Sequence, residues 1–600
     1  MDTARTGRSS WLYATSYVAG SLLCGLAFVA TGGAHHGFDL PQSAVSNIDE
    51  RELAFFGWYA LWGSLSTLCL TRALVLTRLP EALLAAFARA TRSPARSAGF
   101  AAALMLCAAL LARAYVLHEQ PVTDDESTYA FEAQTLLHGR VLNPAPPDAA
   151  LYWNQFIVVR EHGWYGQYPV GHPLLLAAGE ALHLRRLVVP LIGALTLLLS
   201  FAIGRRFFDA QRGLLAVLLL LASPQFVLTH ATQLSQPSST LCMLAGLWAV
   251  LHLVDEPRAR WSALAGVAFG LGVLVRPMPG VLFVGVALLA GSVALWRRQP
   301  RPTLALSTRL LLSAAPGLAL GAGSLLWVNH AQSGAVATTG YLTLHGSYGA
   351  FSTNGQAIAN SLGAALLRQS FWLFGWPCSL VFVPFARPRQ NAWLLWGLVL
   401  ADYAYRILVP KTVFATTGPI YVFEAVPLLA LLTADGVRNA LRRVEQAPRT
   451  RVRAQFASAM LAASVVGLLC FLPVQLRVLV TGSATRERVY QLLARAGAKR
   501  ALVFANELVL AQRAVTWAYW PPNPSPSLDE ELIFVRLPPG AHGLLAAYGF
   551  WQHHYPDRRA FLYRDTLGGV RFAELTADQP PSQSATSDDL PAAPTPATTR

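Results

Sequence analysis

Apolar residues along this chain of 600 residues fall into blocks roughly 16 to 24 long, separated by short polar, arginine-bearing breaks. That is about the length needed to cross a bilayer, and a soluble core is not punctuated in this way. Thirteen blocks qualify: 11–33, 53–76, 98–117, 187–204, 213–230, 237–254, 260–275, 278–296, 308–328, 371–386, 391–409, 419–434 and 455–474. The pattern predicts an all-α polytopic membrane protein with about 13 transmembrane helices. The first block follows Arg5 and Arg8 as a signal peptide would. It is too long for a typical apolar signal region and lacks an evident cleavage site, so it reads as a retained helix.

The pattern changes after 475. An amphipathic stretch, 486–496, precedes two strand-like runs, 501–505 and 531–537, a short helical stretch near 541–550 and a further run at 559–564. These predict a small α/β domain over 475–575. Residues 576–600 are mostly Pro, Ala, Ser and Thr with little to bury, and are expected to be disordered. The domain reading is therefore 1–97 with two additional spans, a transmembrane domain over 98–474 with a long loop at 118–186, the α/β domain, and the tail.

Composition agrees: 54% of residues are hydrophobic and 13% charged. A net charge of +15 would suggest nucleic acid in a soluble protein. Here the arginines sit in short loops between apolar blocks, where they set orientation, and no nucleic-acid partner is expected. With the N-terminus cytoplasmic, Arg89, Arg92 and Arg96, then Arg205, Arg206 and Arg212, then Arg297, Arg298 and Arg301, then Arg438, Arg442 and Arg443 all fall on the inner side. The opposite side receives Asp39, Asp49, Glu50 and Glu52, the segments 118–186 and 329–370, and the C-terminal region. All six cysteines lie in apolar blocks without zinc-site or disulfide spacing.

The most informative residues follow the third block: Thr123-Asp124-Asp125-Glu126-Ser127-Thr128-Tyr129. A helix starting there puts Asp125, Tyr129 and Glu132 on one face, a carboxylate pair with an aromatic between them, which suits a general base. A structural reading fits too. Thr123 and Glu126 match a helix capping box, and acids in a first turn complement the helix dipole. The readings are compatible, because one acid can cap while another faces a cleft.

Asp125-Glu126 is followed by Tyr129, Ala133, Leu137 and Gly139, and then by Tyr168-Pro169-Val170-Gly171-His172-Pro173-Leu174-Leu175. Further on come Gly204-Arg205-Arg206-Phe207, Gly213 and Ser223-Pro224, and then Gly270-Leu271-Gly272 with Arg276-Pro277. Taken in order, these motifs carry a resemblance to GT-C glycosyltransferases, in the branch of protein O-mannosyltransferases and lipid A aminoarabinose transferases. It covers roughly 98–434, with a weaker echo at Tyr555-Pro556-Asp557-Arg558. Two departures stand out. Ile420 occupies a position where related sequences often carry Arg, and Gln236 one where some carry His.

This resemblance implies a bacterial inner-membrane enzyme of the cell envelope that moves a sugar, with inversion, from a polyprenyl-phosphate-linked donor to a lipid, glycan or protein acceptor outside the cytoplasm. Asp125 would be the catalytic base and Glu126 its partner. Arg276, Lys411, His172 and Arg160 are candidates for the donor phosphate, because leaving-group charge needs fixed cations. Lys411 is one of only two lysines in the chain, though an interfacial cation would read the same way. Asp124, Tyr129, Glu132, Trp153 and Tyr168 are candidates for sugar or acceptor. No metal site is expected from spacing, although Asp125 and Glu126 could together hold a divalent cation. The aromatics Tyr152, Trp164, Tyr165, Phe371, Trp372 and Trp376 read mainly as an interfacial belt. A transporter or flippase is the runner-up, since many spans with scattered Gly and Pro also describe that class, and Ile420 keeps open an inactive envelope scaffold. The first predicts charges within spans and internal repeats, whereas here the acids gather in the loop, with Asp402 the main exception.

Overall fold

The computed structural model describes residues 2–31, 50–152, 154, 156–297, 303–346, 354–387, 393–408, 417–443, 449–506, 525–538, 542–566, 569–581 and 591. Among them nine helices are long and apolar enough to cross a membrane, or ten if one bent pair counts as a single span. The protein is a multi-pass, mostly helical membrane protein. Four of the thirteen expected spans come out differently. The block 213–230 is broken into Ala210–Leu221 and Pro224–Ala231, bent by 61°. Ser223 causes the break by capping the second helix, its Oγ accepting from the Phe226 amide at 3.1 Å, with Pro224 at the first helical position. The block 260–275 is a helix of 17 residues, Ala259–Val275, stopped at Arg276 because a residue before proline resists the helical conformation. The block 391–409 gives Trp393–Leu408, of 16 residues. The block 371–386 is not a helix: it continues from Trp372 into turns around Gly375-Trp376-Pro377 and a short 3-10 turn, Val383–Phe385.

The contacts divide the chain into two units. The first, residues 1–113, 186–323 and 350–478, holds the long apolar helices. Glycines let some of these approach to backbone contact. A Cβ at Gly266 would lie 2.2 Å from the Ala314 carbonyl oxygen, and one at Gly270 would lie 2.1 Å from that of Gly317. Gly317 and Gly321 answer from the facing helix, a four-residue spacing of small residues on both sides. The first 97 residues are fastened to this unit by polar and aromatic contacts. Arg368 and Glu52, both buried, form a two-pronged ion pair at 2.6 and 2.7 Å. Beside it Phe56 stacks on Phe371 at 4.5 Å, and the Tyr59 hydroxyl donates to the Gly375 carbonyl at 2.6 Å. Phe371, Trp372 and Trp376, read as belt residues, are core residues instead.

The second unit gathers residues 114–185, 324–349 and 479–600. Two strands, β1 (Ile157–Arg160) and β2 (Gly163–Gly166), make an antiparallel hairpin. Four more, β3 (Ala501–Ala505), β4 (Leu532–Arg536), β5 (Arg559–Thr566) and β6 (Gly569–Leu575), form a sheet in the order β4-β3-β5-β6. In that sheet β3 runs parallel to β4 and β5, and β6 is antiparallel. Every residue of β3 is buried because both faces are covered. Ala501, Val503 and Ala505 pack on Val489, Leu492 and Leu493. Leu502 and Phe504 share a core with the helix Gly543–His554, with Phe131 and with the hairpin residues Ile157 and Trp164. Tyr152, Trp164 and Tyr165 are thereby buried in protein rather than forming a belt. Of the tail expected to be disordered, 582–590 and 592–600 lie outside the described residues.

The Glu52–Arg368 pair yields a stability prediction. Arg368→Met alone strands a buried carboxylate and should destabilise the protein by about 3–5 kcal/mol. Glu52→Gln combined with Arg368→Met should recover most of that. Thermal unfolding of the detergent-solubilised protein tests this, and a double variant as weak as the single one would contradict it.

Candidate active site

The acidic run opens the helix Asp124–Leu137. Glu126 reaches back, its Oε1 accepting from the Val122 amide at 2.7 Å and the Thr123 amide at 3.3 Å. Two amide donors at the helix entry are satisfied in this way. The second acid of the Asp-Glu pair is therefore spent on the helix start, and Asp124 is buried in the same turn. Asp125, half-buried, is the acid whose side chain meets the aromatic residues of this unit.

Those residues arrive from the hairpin and the helix after it. A Cβ at Gly163 would lie 2.3 Å from the Asn143 carbonyl oxygen, and Asn143 pairs with Trp164 on both backbone sides. Buried Trp164 meets Phe131 edge-on, which ties β2 to the acidic helix. Where β2 ends, the Gln167 amide donates to the Phe156 carbonyl at 3.0 Å and Tyr168 turns toward the helix. The Tyr168 hydroxyl donates to Oδ1 of Asp125 in a short hydrogen bond. Its ring lies 4.7 Å from Tyr129 and 5.4 Å from Tyr341, while Tyr129 meets His172 edge-on at 4.9 Å. Burial, and then the nearby Asp125 charge, pushes the Tyr168 hydroxyl well above its ordinary pKa. It therefore stays protonated at neutral pH, as a donor to the carboxylate.

Asp125, Tyr129 and Glu132 do follow one another along the helix, but their surroundings differ. Glu132 is buried, neither of its carboxylate oxygens makes a well-formed hydrogen bond, and a Cβ at Gly166 would lie 2.3 Å from its Oε1. Burial pushes its pKa well up, and the Tyr168 backbone, which favours the charged form, does not reverse this. Burial thus favours the neutral form of Glu132, which fills the space that Gly166 leaves.

Of the other candidates, His172 is fully buried at the start of the helix Gly171–Ala181. Arg160 donates to the Thr343 carbonyl at 3.1 Å. Lys411 and Trp153 lie outside the described residues. Arg276 belongs to the first unit, where it pairs at 2.6 Å with Glu424 and lies over the Tyr421 ring. Glu424 was not anticipated, although an acid inside the apolar block 419–434 is a signal. Asp402, noted as an exception, accepts from the Ala425 amide at 3.0 Å. Ile420 is buried against Leu234, in contacts that suit an apolar side chain. Gln236 is buried at the start of the helix Gln236–Asp255. Among the described residues no group of three or more His, Cys, Asp or Glu is gathered as a metal site.

Residues 175–327 match the family model of dolichyl-phosphate-mannose-protein mannosyltransferases. The matched stretch begins at the end of the Pro-rich segment and takes in Gly204-Arg205-Arg206-Phe207 and Arg276-Pro277, so the resemblance expected from motif order is found there. No curated protein matches the chain. Among solved structures, ArnT from Cupriavidus metallidurans bound to undecaprenyl phosphate is similar at 16% identity and a TM-score of 0.47, over 77% of this chain and 92% of its own. Its apo form is similar at 15% identity and a TM-score of 0.48 over the same shares. The archaeal oligosaccharyltransferase AglB from Archaeoglobus fulgidus, in complex with an inhibitory peptide and a dolichol-phosphate, is similar at 13% identity and a TM-score of 0.33, over 63% of this chain and 56% of its own.

The state of Glu132 can be read through stability. A glutamate in the unfolded chain titrates near 4.5, and the folded pKa lies above it. Its contribution is therefore fully present below about pH 4.5 and is lost as pH rises toward the folded value. Glu132→Gln removes that titration, so the melting temperature of the variant relative to wild type should climb as pH rises above about 4.5 and level off once the folded carboxyl ionises. A gap that stays constant over this range would mean that Glu132 is ionised in the fold.

Proposed function

We propose that the chain is a glycosyltransferase that moves a sugar from a polyprenyl-phosphate-linked donor to a lipid, glycan or protein acceptor. We place the reaction on the extracytoplasmic side of a bacterial inner membrane, with the N-terminus cytoplasmic and the C-terminus outside. The observation that carries this reading is the half-buried Asp125 carboxylate, fixed on a capped helix turn by the Tyr168 hydroxyl, in a chain whose residues 175–327 match mannosyltransferases. The one-sided arginine clusters support the sidedness. The ligands that the similar proteins were solved with, undecaprenyl phosphate and dolichol-phosphate, agree with the donor class.

In this mechanism an acceptor hydroxyl attacks the anomeric carbon as Asp125 takes its proton. The new C–O bond forms on the face opposite the departing group. The bond from the anomeric carbon to the phosphate oxygen breaks, and its electron pair leaves on polyprenyl phosphate. Tyr168 holds the carboxylate by one oxygen, while Tyr129, buried between Tyr168 and His172, packs behind it. Developing charge on the phosphate needs a fixed cation. Arg276 is one candidate, its guanidinium held by an ion pair with Glu424 and lying over the ring of Tyr421, with Lys411, Arg160 and His172 as the others. A divalent cation shared by Asp125 and Glu126 has less support, because Oε1 of Glu126 already serves two amides.

A transporter is the second reading, and the Arg276–Glu424 pair, with Glu424 buried, favours it, since charges inside a helical membrane unit mark ion or substrate paths. Sugar transfer by the purified wild type from a matched polyprenyl-phosphate donor separates the two, and one variant then tests the base. Asp125→Asn keeps the shape, caps a helix about as well as Asp, and still offers Tyr168 an oxygen. It cannot accept a proton, so transfer from a matched polyprenyl-phosphate donor should fall by about 10²–10⁴-fold with insertion and melting unchanged. Wild-type turnover in this variant would remove Asp125 as the base.

A further inference from the structure

The backbone that delivers Asp125 is bent before the helix begins. His118 and Glu119, neither of them glycine, both have φ in the left-handed region, at 51° and 58°. Such a conformation is uncommon for one residue and persists in two only where neighbours enforce it. Gln120 is then restricted by Pro121. The Gln120 amide donates to the Leu117 carbonyl at 2.8 Å, and Pro121, which has no amide hydrogen, offers its carbonyl as an acceptor. Val122 and Thr123 follow with their amides on Glu126, and the helix starts at Asp124.

Two consecutive residues from a distant part of the same unit meet this turn. Arg486, whose side chain is almost fully buried, donates from Nη1 to the Pro121 carbonyl in a short hydrogen bond. Glu487 pairs with Nδ1 of His118 at 3.0 Å, half-exposed on both sides. Both lie in the helix Leu472–Arg495, the last part of an unbroken helical run over 452–495. That run is about 66 Å long at the rise of an α-helix, more than twice the apolar thickness of a bilayer, which is about 30 Å. Its last turns bring a guanidinium to an acid-bearing turn more than three hundred residues earlier in the sequence.

We infer that Arg486 and Glu487 are positioning residues that clamp the entry turn His118–Thr123 and thereby fix the place of Asp125. Arg486 suits this because a guanidinium is always charged and presents several donors from a rigid plane. Neither residue touches the reacting atoms. Their effect passes through the Pro121 carbonyl and the His118 ring to the backbone of the helix start. The role given to Asp125 rests on the glycosyltransferase reading above, whereas the clamp itself is a property of the fold.

The test combines a structural readout with a kinetic one on the full chain in detergent or nanodiscs. Arg486→Ala should speed amide hydrogen exchange across 116–126, including Val122 and Thr123. It should also lower kcat by about tenfold to a hundredfold, the scale of an ångström-sized misplacement of a reacting group, with a smaller change in the KM for donor. Added guanidinium should restore part of the rate to Arg486→Ala and none to Asp125→Asn. Arg486→Lys, which keeps the charge, and Glu487→Gln, at the half-exposed pair, should show milder versions of both effects, and they carry the test if the alanine variant fails to fold. Unchanged exchange over 116–126 in the variants would overturn the clamp. Altered exchange with unchanged turnover would overturn its role in positioning Asp125. If the wild type transfers no sugar, the glycosyltransferase reading fails, and the exchange data still decide the clamp.

Discussion

The constraint on which the rest of the structure depends is that backbone polar groups inside an apolar medium must find partners within the protein. The long helices meet it by their own hydrogen bonds. At several breaks among the described residues of the apolar unit a side chain brings a substitute. Ser223 takes the Phe226 amide at the bend, and Tyr59 donates to the Gly375 carbonyl where 371–386 leaves the helix. Gln225 donates to the Pro419 carbonyl, and Asp402 accepts the Ala425 amide, on either side of the turn that carries Tyr421 and Glu424. Breaks supported in this way let charged and polar side chains occupy positions that a lipid-facing helix would exclude. Arg276 and Glu424 sit at two of them.

The second unit applies the same economy to a site. The acidic helix needs a cap, and Glu126 supplies it, which leaves Asp125 to the aromatic group around Tyr168. One strand terminus, one helix start and one strained turn converge on a single carboxylate. The sheet packs on this group from behind, through the core shared by Phe131, Trp164, Leu502 and Phe504. A carboxylate held by fixed neighbours keeps its geometry through the reaction without reorganising. That is what a general base requires.

Much of this was legible in the sequence. Block length located the long helices, and the strand-like runs located three of the four later strands: 501–505 is β3 to the residue, 531–537 and 559–564 lie within two residues of β4 and β5, and β6 was missed. The capping box and the shared face of Asp125, Tyr129 and Glu132 followed from helical spacing. What sequence could not supply was long-range pairing. Nothing local says that Tyr168 reaches Asp125, that Arg486 reaches Pro121, or that Glu424 meets Arg276, because each pair is separated by tens to hundreds of residues. The apolar block at 371–386 was misread for a related reason. Hydropathy registers burial in lipid and burial in protein alike, and Phe371, Trp372 and Trp376 are buried in protein.

The account stands on one chemical claim, that Asp125 deprotonates an acceptor which attacks a polyprenyl-phosphate-linked sugar from the face opposite the phosphate. The most direct measurement is the anomeric configuration of the product formed by purified wild-type protein from a donor of defined anomer, read by NMR before the product can equilibrate. Single displacement predicts complete inversion. Net retention would require a glycosyl-enzyme intermediate, for which Asp125 would have to act as nucleophile, and would contradict the account.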